Sequence, residues 1–341
     1  MIIRSKAPLR ISFCGGGTDV PPYCDDEGGI VLNTTINMFA FGSLIMRNDD
    51  EKNIYSYDFN EVLHYRNNEN LELVGEMSLI KALLNKFSKY LNNYKKGFDI
   101  YLHTSMRPGS GLGSSSAMTV AFVGLMKDLL QLKYSKYDIA KAAYDIERLD
   151  MGIKGGKQDQ YSSTFGGLNY IEFCKGGEVI VNPLRIHTDI LNELEYNLIL
   201  CNTKITHFSD NLLRKQIDYY KNGRKDTISS LGAIKDITSE MKKYLLKNKL
   251  NDFAELLNVA WEEKKKMNPF VTNSYIDELY ETAKKKGAIG GKILGAGGGG
   301  CLLLYCPIKY RFSVIEEINK KGAEVEKFSF ENGGLQTWEI L

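Results

Sequence analysis

Residues Pro108 to Ser116, in the run Pro108-Gly109-Ser110-Gly111-Leu112-Gly113-Ser114-Ser115-Ser116-Ala117, hold three glycines and four serines in nine positions. Glycine lets the backbone take positive φ and approach a ligand closely, and serine brings hydroxyl donors. The apolar run that follows, about 117–130, predicts a buried helix. Its first N–H groups and positive dipole end suit an anion such as a polyphosphate. No Gly-Lys-Ser/Thr is present, so this is not a Walker A loop. A plain N-capped turn would not need so many glycines and serines.

A second glycine-rich run, Gly295-Ala296-Gly297-Gly298-Gly299-Gly300, formally fits Gly-x-Gly-x-x-Gly. A dinucleotide fingerprint follows a strand and opens a helix. Here a helix precedes and a strand follows, so the run predicts close packing of another backbone or a phosphate. Glu147 lies on a predicted helix, and Asp159 lies in the loop after it. One carboxylate beside a polyphosphate suits Mg²⁺, which takes oxygen ligands. A second can take a proton from a hydroxyl nucleophile or orient it.

The elements that must position these loops follow from pattern. Arg10 to Phe13 and 30–46 read as strands, the latter rich in β-branched and aromatic residues. Apolar residues at 79, 80, 83, 84, 87 and 91 mark a helical face. Strands are expected at 98–103, 168–173, 197–201, 301–306, 323–330 and 335–340. Helices are expected at 137–149, 209–221, 227–249, 252–267, 274–286 and 310–321, with Asp252 and Glu255 as a capping box. The segment 151–160 reads as a loop. The lysine runs 264–266 and 284–286 read as solvated helix faces. Strand-rich and helix-rich halves predict two α+β lobes meeting near residues 175–195, divided as 1–185 and 186–341.

Composition narrows the function classes. The chain has 341 residues, enough for about two domains. Lys plus Arg is 44 and Asp plus Glu is 42, a formal net charge of +2, which argues against binding nucleic acid by bulk charge. No run approaches the roughly 18 apolar residues of a membrane span, and the first residues show no secretory pattern. Six cysteines without a CxxC read as reduced thiols of a cytoplasmic enzyme. Four histidines (64, 103, 187 and 207) form no metal-binding pair.

Taken in order, Ala7-Pro8-Leu9-Arg10 through Gly15-Gly16-Gly17-Thr18-Asp19, then Pro108 through Ala117, then Gly295 through Gly300 resemble the three motifs of the GHMP small-molecule kinases. The resemblance spans nearly the whole chain, and the middle motif is the specific one. It implies an α+β fold with a first lobe like ribosomal protein S5 domain 2 and a ferredoxin-like second lobe, with ATP between them. It makes Pro108, Gly109, Ser110, Gly111, Leu112, Gly113, Ser114, Ser115 and Ser116 the ATP phosphate loop, and Ser115 and Glu147 the Mg²⁺ contacts. Asp159 matches the family's catalytic aspartate and Arg10 the basic residue facing it. Gly16, Gly17, Thr18 and Asp19, with Gly297 and Gly298, fall at the substrate.

The run from Cys14 to Tyr23 is similar to the sugar-kinase branch, where the aspartate after the first glycines binds sugar hydroxyls. That implies transfer to the anomeric hydroxyl of D-glycero-D-manno-heptose 7-phosphate, giving the 1,7-bisphosphate for nucleotide-activated heptose and surface polysaccharide. A substrate of this kind needs cations for its distal phosphate, and Lys157 and Arg107 flank the two loops. Three alternatives stay open: a kinase of an unphosphorylated sugar of the L-fucose or galactose type, a same-fold decarboxylase, and a non-catalytic ATP- and sugar-binding regulator. The partners implied are a small-molecule sugar phosphate and, as an open alternative, a second copy of the chain; neither nucleic acid nor a membrane is expected.

Overall fold

The structure, a computed structural model, describes residues 1–205 and 209–340; His207 lies outside them. The elements run β1 (Ile2–Cys14), α1 (Tyr23–Glu27), β2 (Gly29–Met46), β3 (Lys52–Ser56), β4 (Glu61–Tyr65), α2 (Ser78–Leu91), β5 (Phe98–Thr104), α3 (Ser114–Leu129), α4 (Lys136–Asp145), α5 (Gln158–Phe165), β6 (Leu168–Phe173) and β7 (Val179–Pro183). The chain continues with α6 (Thr188–Asn197), β8 (Leu198–Asn202), α7 (Ser209–Lys221), α8 (Lys225–Leu246), α9 (Leu250–Met267), α10 (Ser274–Lys285), β9 (Gly290–Ile293), β10 (Cys301–Tyr305), α11 (Ile308–Lys320), β11 (Glu324–Glu326) and β12 (Gln336–Ile340).

Two α+β lobes result. The first is built on a sheet ordered β12-β1-β2-β5-β3-β4, with β6 on β2 and β7 on β6. The 18-residue strand β2 serves two partners: Gly29 to Thr34 pairs with β6 and Ala40 to Met46 with β5. Its β-branched and aromatic content favours so long a strand. The register with β1 shifts at Pro8/Leu9 and at Ser12/Cys14. A proline removes a ladder donor, so its place beside an irregularity is expected. The second lobe carries the antiparallel sheet β11-β8-β10-β9.

The helix α3 is buried nearly all round, with Val120, Ala121, Phe122, Val123 and Leu125 fully covered. Each large side chain so buried contributes about 1.5–3 kcal/mol. This is the element that anchors the serine-glycine loop, as its apolar sequence predicts.

Several sequence expectations need correction. The segment 151–160 is not all loop, because Gln158–Phe165 forms α5, and the strand expected at 323–330 is reduced to Glu324–Glu326. The Asp252–Glu255 capping box is absent. The helix starts two residues earlier, its N-cap is Lys249, and Asp252 sits in the first turn, where its charge favours the helix dipole. Lys264 is not solvated: it is 6% exposed and donates to the Gly295 carbonyl at 2.6 Å.

The last strand, Gln336–Ile340, returns to pair with β1, so the chain crosses back into the first lobe. All six cysteines are free. Among the described residues no helix is long and apolar enough to cross a membrane.

Candidate active site

Two glycine-rich loops from opposite lobes meet backbone to backbone. A Cβ on Gly111 would lie 2.7 Å from the Leu294 carbonyl oxygen, and one on Gly295 would lie 2.7 Å from the Gly111 Cα. Both glycines have positive φ, so residue type is fixed here by space and by conformation. The Cys301 N–H donates to the Ser110 carbonyl at 2.9 Å and stitches the loops together.

Two buried lysines support the junction from below. Lys264 holds the Gly295 carbonyl. Lys292, on β9, reaches across the lobes to the Ser12 and Phe13 carbonyls at 3.2 and 3.1 Å. Burial depresses both ammonium pKa values, that of Lys264 strongly, with the charges of Lys292 and Arg10 adding to the effect on Lys264.

Above the junction lies an open cleft with a cavity volume of about 180 Å³. Gly113 caps α3 in the left-handed conformation with no side-chain cap. The first N–H groups of the helix therefore lack intrahelical partners, and Ser114, Ser115 and Ser116 line the cleft at that end.

Asp159 stands in the first turn of α5 against this loop. A Cβ on Gly113 would lie 3.2 Å from its carboxyl carbon. Arg10 grips it from β1. Nη2 is 2.6 Å and Nε 2.7 Å from Asp159 Oδ1, while Nη1 donates to the Gly111 carbonyl at 2.5 Å. The residues are 149 apart in sequence, and Arg10 is 3% exposed. The expected pairing is made, and the same guanidinium ties the aspartate to the phosphate loop.

Glu147 is placed by one turn of π-helix, Ile146–Asp150, that continues α4; such turns insert an extra residue and re-aim side chains. Its carboxylate is 2% exposed and accepts from Ser116 Oγ at 2.8 Å, Thr119 Oγ1 at 2.7 Å and Gln160 Nε2 at 2.7 Å. The hydroxyl bonded to Glu147 is thus Ser116, while Ser115 is exposed in the cleft. Among the described residues no group of three acidic, histidine or cysteine side chains is placed to hold a metal ion. An oxygen-only set of one carboxylate and one hydroxyl fits a Mg²⁺ ion whose other ligands come from phosphates and water.

Asp19 faces the same cleft. It accepts from the Gly17 N–H at 3.0 Å and the Gln158 N–H at 3.1 Å. Burial raises its pKa, the Gln158 N–H opposes that rise, and the nearby charge of Asp159 adds to it. Gly156 is obligatory beside it, since a Cβ there would sit 1.9 Å from Asp19 Oδ2.

Not every expected residue reaches the cleft. Gly16, Gly17 and Gly297 line it. Gly298 opens on a neighbouring hollow with Phe270 and Thr272 instead. Thr18 is fully buried and uses its hydroxyl on the Gly15 and Ile30 carbonyls, which closes the loop and leaves nothing for a ligand. Ser110 and Leu112 are buried behind the lining residues, whereas Pro108 is exposed and does not line the cleft.

Lys157 is turned away. Its Nζ pairs with Asp25 at 2.8 Å and lies over the Tyr144 ring, so it does not line the cleft at which the distal phosphate was expected. Arg107 is exposed outside the cleft wall. The polar lining residues missed by sequence reading include Arg148, Lys154 and Gln158. Arg148 and Gln158 could have been found by adjacency to Glu147 and Asp159, and Lys154 by its place just before Gly155-Gly156.

Comparison with known proteins was made against this geometry. The model of the GHMP kinases N terminal domain matches residues 78–167, and that of the GHMP kinases C terminal domain matches 241–324. A D-glycero-alpha-D-manno-heptose 7-phosphate kinase of Campylobacter jejuni is 36% identical over 341 residues, covering 99% of both chains. A crystal structure of a D-glycero-D-manno-heptose 1-phosphate kinase from Bacteroides thetaiotaomicron superposes with a TM-score of 0.81 at 34% identity, covering 99% of both. Lactococcus lactis galactokinase, at 19% identity and a TM-score of 0.80 over 98% of this chain and 95% of its own, shares the fold.

Proposed function

This chain belongs to the GHMP kinase family and is an ATP-dependent phosphotransferase, and from that premise we propose that it phosphorylates the anomeric hydroxyl of a heptose phosphate. The substrate proposed is D-glycero-D-manno-heptose 7-phosphate, and the product is the 1,7-bisphosphate. The product would feed nucleotide-activated heptose for surface polysaccharide, which sets the reaction in the cytoplasm. The reading draws on two similar proteins whose names both carry a phosphorylated heptose, and on a cleft with a second acid, Asp19, suited to sugar hydroxyls.

The observation that carries the mechanism is the Arg10–Asp159 pair, 2.6 Å long, set against Gly113 of the phosphate loop. Phosphoryl transfer is mostly positioning and charge stabilisation. The free N–H groups at the start of α3 receive the terminal phosphates of ATP. Asp19 and Gln158 hold the sugar, with its anomeric oxygen presented to Asp159, which orients it and takes its proton. Arg10 fixes the carboxylate and adds positive charge beside the transferring group. Glu147 and Ser115 would hold Mg²⁺, whose chemistry is to neutralise charge on the phosphate oxygens.

The test is to mix the protein with Mg-ATP and a panel of heptose 7-phosphate, heptose, L-fucose and galactose, and to follow ADP and free phosphate. ADP without free phosphate, fastest on heptose 7-phosphate, is expected. Faster turnover of a bare sugar overturns the substrate, ADP with free phosphate and CO₂ from an added diphosphorylated acid marks a decarboxylase, and no ADP with any sugar overturns the sugar-kinase reading.

A further inference from the structure

We infer that Arg148 and Lys154, rather than Lys157, form the site for the phosphate at the far end of the sugar; this rests on the sugar-phosphate reading above. A phosphate dianion in a partly enclosed cleft needs cationic donors. Among the described side chains that line the cleft, the cations are Arg10, Arg148 and Lys154. Arg10 is committed to Asp159 and to the Gly111 carbonyl. That leaves the other two.

Their placement relative to Asp19 is fixed by two glycines. Gly155 and Gly156 form a strip of backbone one residue thick. On one side Gly156 rests on the Asp19 carboxylate. On the other Gly155 rests on the Arg148 guanidinium, where a Cβ would meet Cζ at 2.4 Å. The guanidinium therefore lies one peptide away from the carboxylate that holds sugar hydroxyls.

Arg148 has five N–H donors. Nε points at the Gly156 carbonyl at 3.4 Å and Nη2 at Glu147 at 3.2 Å. The first contact is long and the second leaves further donors in the planar fork that matches phosphate. Lys154 precedes the glycines. Its backbone N–H donates to Asp210 Oδ1 at 2.7 Å and ties the strip to the start of α7. Its exposed ammonium has no ion pair among the described residues.

Gln158 completes the picture. It is 8% exposed, it lines the cleft, and its Oε1 has no hydrogen-bond partner among the described residues. A buried acceptor without a donor calls for one from a ligand, and a sugar hydroxyl between Asp19 and Gln158 supplies it. A sugar seated there spans from Asp159 at its reacting end to the Arg148–Lys154 strip at the other.

The experiment compares kcat/KM for heptose 7-phosphate and for the same heptose without phosphate, with KM for ATP and the melting temperature as controls. Wild type should prefer the phosphorylated sugar. Lys154→Met and Arg148→Gln should each lower kcat/KM for it roughly 10–100-fold, the effect of losing a charged hydrogen bond, and far more than for the bare sugar. Arg148→Lys, which keeps the charge, should recover part of the loss. A wild type indifferent to the phosphate sinks the substrate reading itself. A wild type that prefers it, with both variants retaining the preference, overturns this inference alone. So does an Arg148→Gln that raises KM for ATP and slows both sugars equally, which would give the guanidinium to the nucleotide. Gly155→Ala, which displaces the guanidinium without removing charge, should mimic Arg148→Gln in direction.

Discussion

Asp159, in the first turn of α5, and Asp19, in the loop after β1, look into one cleft, yet the fold treats them in opposite ways. Asp159 is 20% exposed and is matched by a guanidinium that also anchors the phosphate loop. Asp19 is 1% exposed, makes no ion pair among the described residues, and is held by two backbone N–H groups. On the proposed mechanism, the carboxylate that takes the acceptor's proton is the one given a fixed counter-charge. A carboxylate that binds hydroxyls needs only orientation, and its burial raises its pKa. If this contrast reflects two roles, substitutions at the two positions should fail in different kinetic parameters.

The largest effect is expected at Asp159. Asp159→Asn keeps size and one acceptor but cannot take a proton, so kcat should fall about 10²–10⁴-fold while ATP binding measured by calorimetry is retained. Turnover within a few-fold of wild type would erase the distinction between the two acids.

Asp19→Asn should act on KM instead. Its amide would face the Gln158 N–H that Asp19 now accepts from, and sugar KM should rise roughly 10-fold or more, as for a lost charged hydrogen bond. Gly156→Ala gives an independent route to the same failure, because its Cβ would collide with the Asp19 carboxylate. A fall in kcat with unchanged KM in both variants would assign Asp19 to the chemistry.

The raised pKa of Asp19 also has a sign. The folded state holds this proton more tightly than the unfolded chain, whose ordinary value is 3.8. The group's contribution to stability is therefore greatest at low pH and declines as pH rises from that value through the folded pKa. The difference in melting temperature should shift in favour of Asp19→Asn from about pH 4 to about pH 8. A difference constant with pH would mean that Asp19 titrates alike folded and unfolded.

The same contrast explains what the sequence revealed. The phosphate loop was legible because glycines and serines followed by an apolar run allow few other structures. Arg10 and Asp159, 149 residues apart, were paired through the resemblance, and the ion pair follows it. The helix α5 was not legible: Gln158-Asp159-Gln160-Tyr161-Ser162-Ser163-Thr164-Phe165 has no apolar 3.6 period. Its buried Gln160 donates to Glu147 and its buried Thr164 to the helix backbone, and local propensity does not report such bonds. Lys264 was misread for a related reason, since a lysine run says nothing of which ammonium faces inward.

The smallest effect separates Lys157 from its neighbour Lys154. Lys157 has a side chain 9% exposed and pairs with an Asp25 that is 44% exposed. Burial works against its charge, but Asp25 with the nearby Cys24 and Tyr144 outweighs that, and its pKa is raised above 10.5. Lys157→Met keeps the stem against Tyr144 and leaves Asp25 free to hydrate, so the loss should be about 0.5–1 kcal/mol. In melting temperature that is roughly 2–4 °C or less. A raised lysine pKa stabilises fully below the unfolded value and loses its effect as pH climbs through the folded one, so the deficit should be steady near neutrality and close only above pH 10.5. KM for the sugar phosphate should not move. A tenfold rise in that KM, with KM for the bare sugar unchanged, would return the distal phosphate to Lys157 and require the Asp25 pair to open when substrate binds.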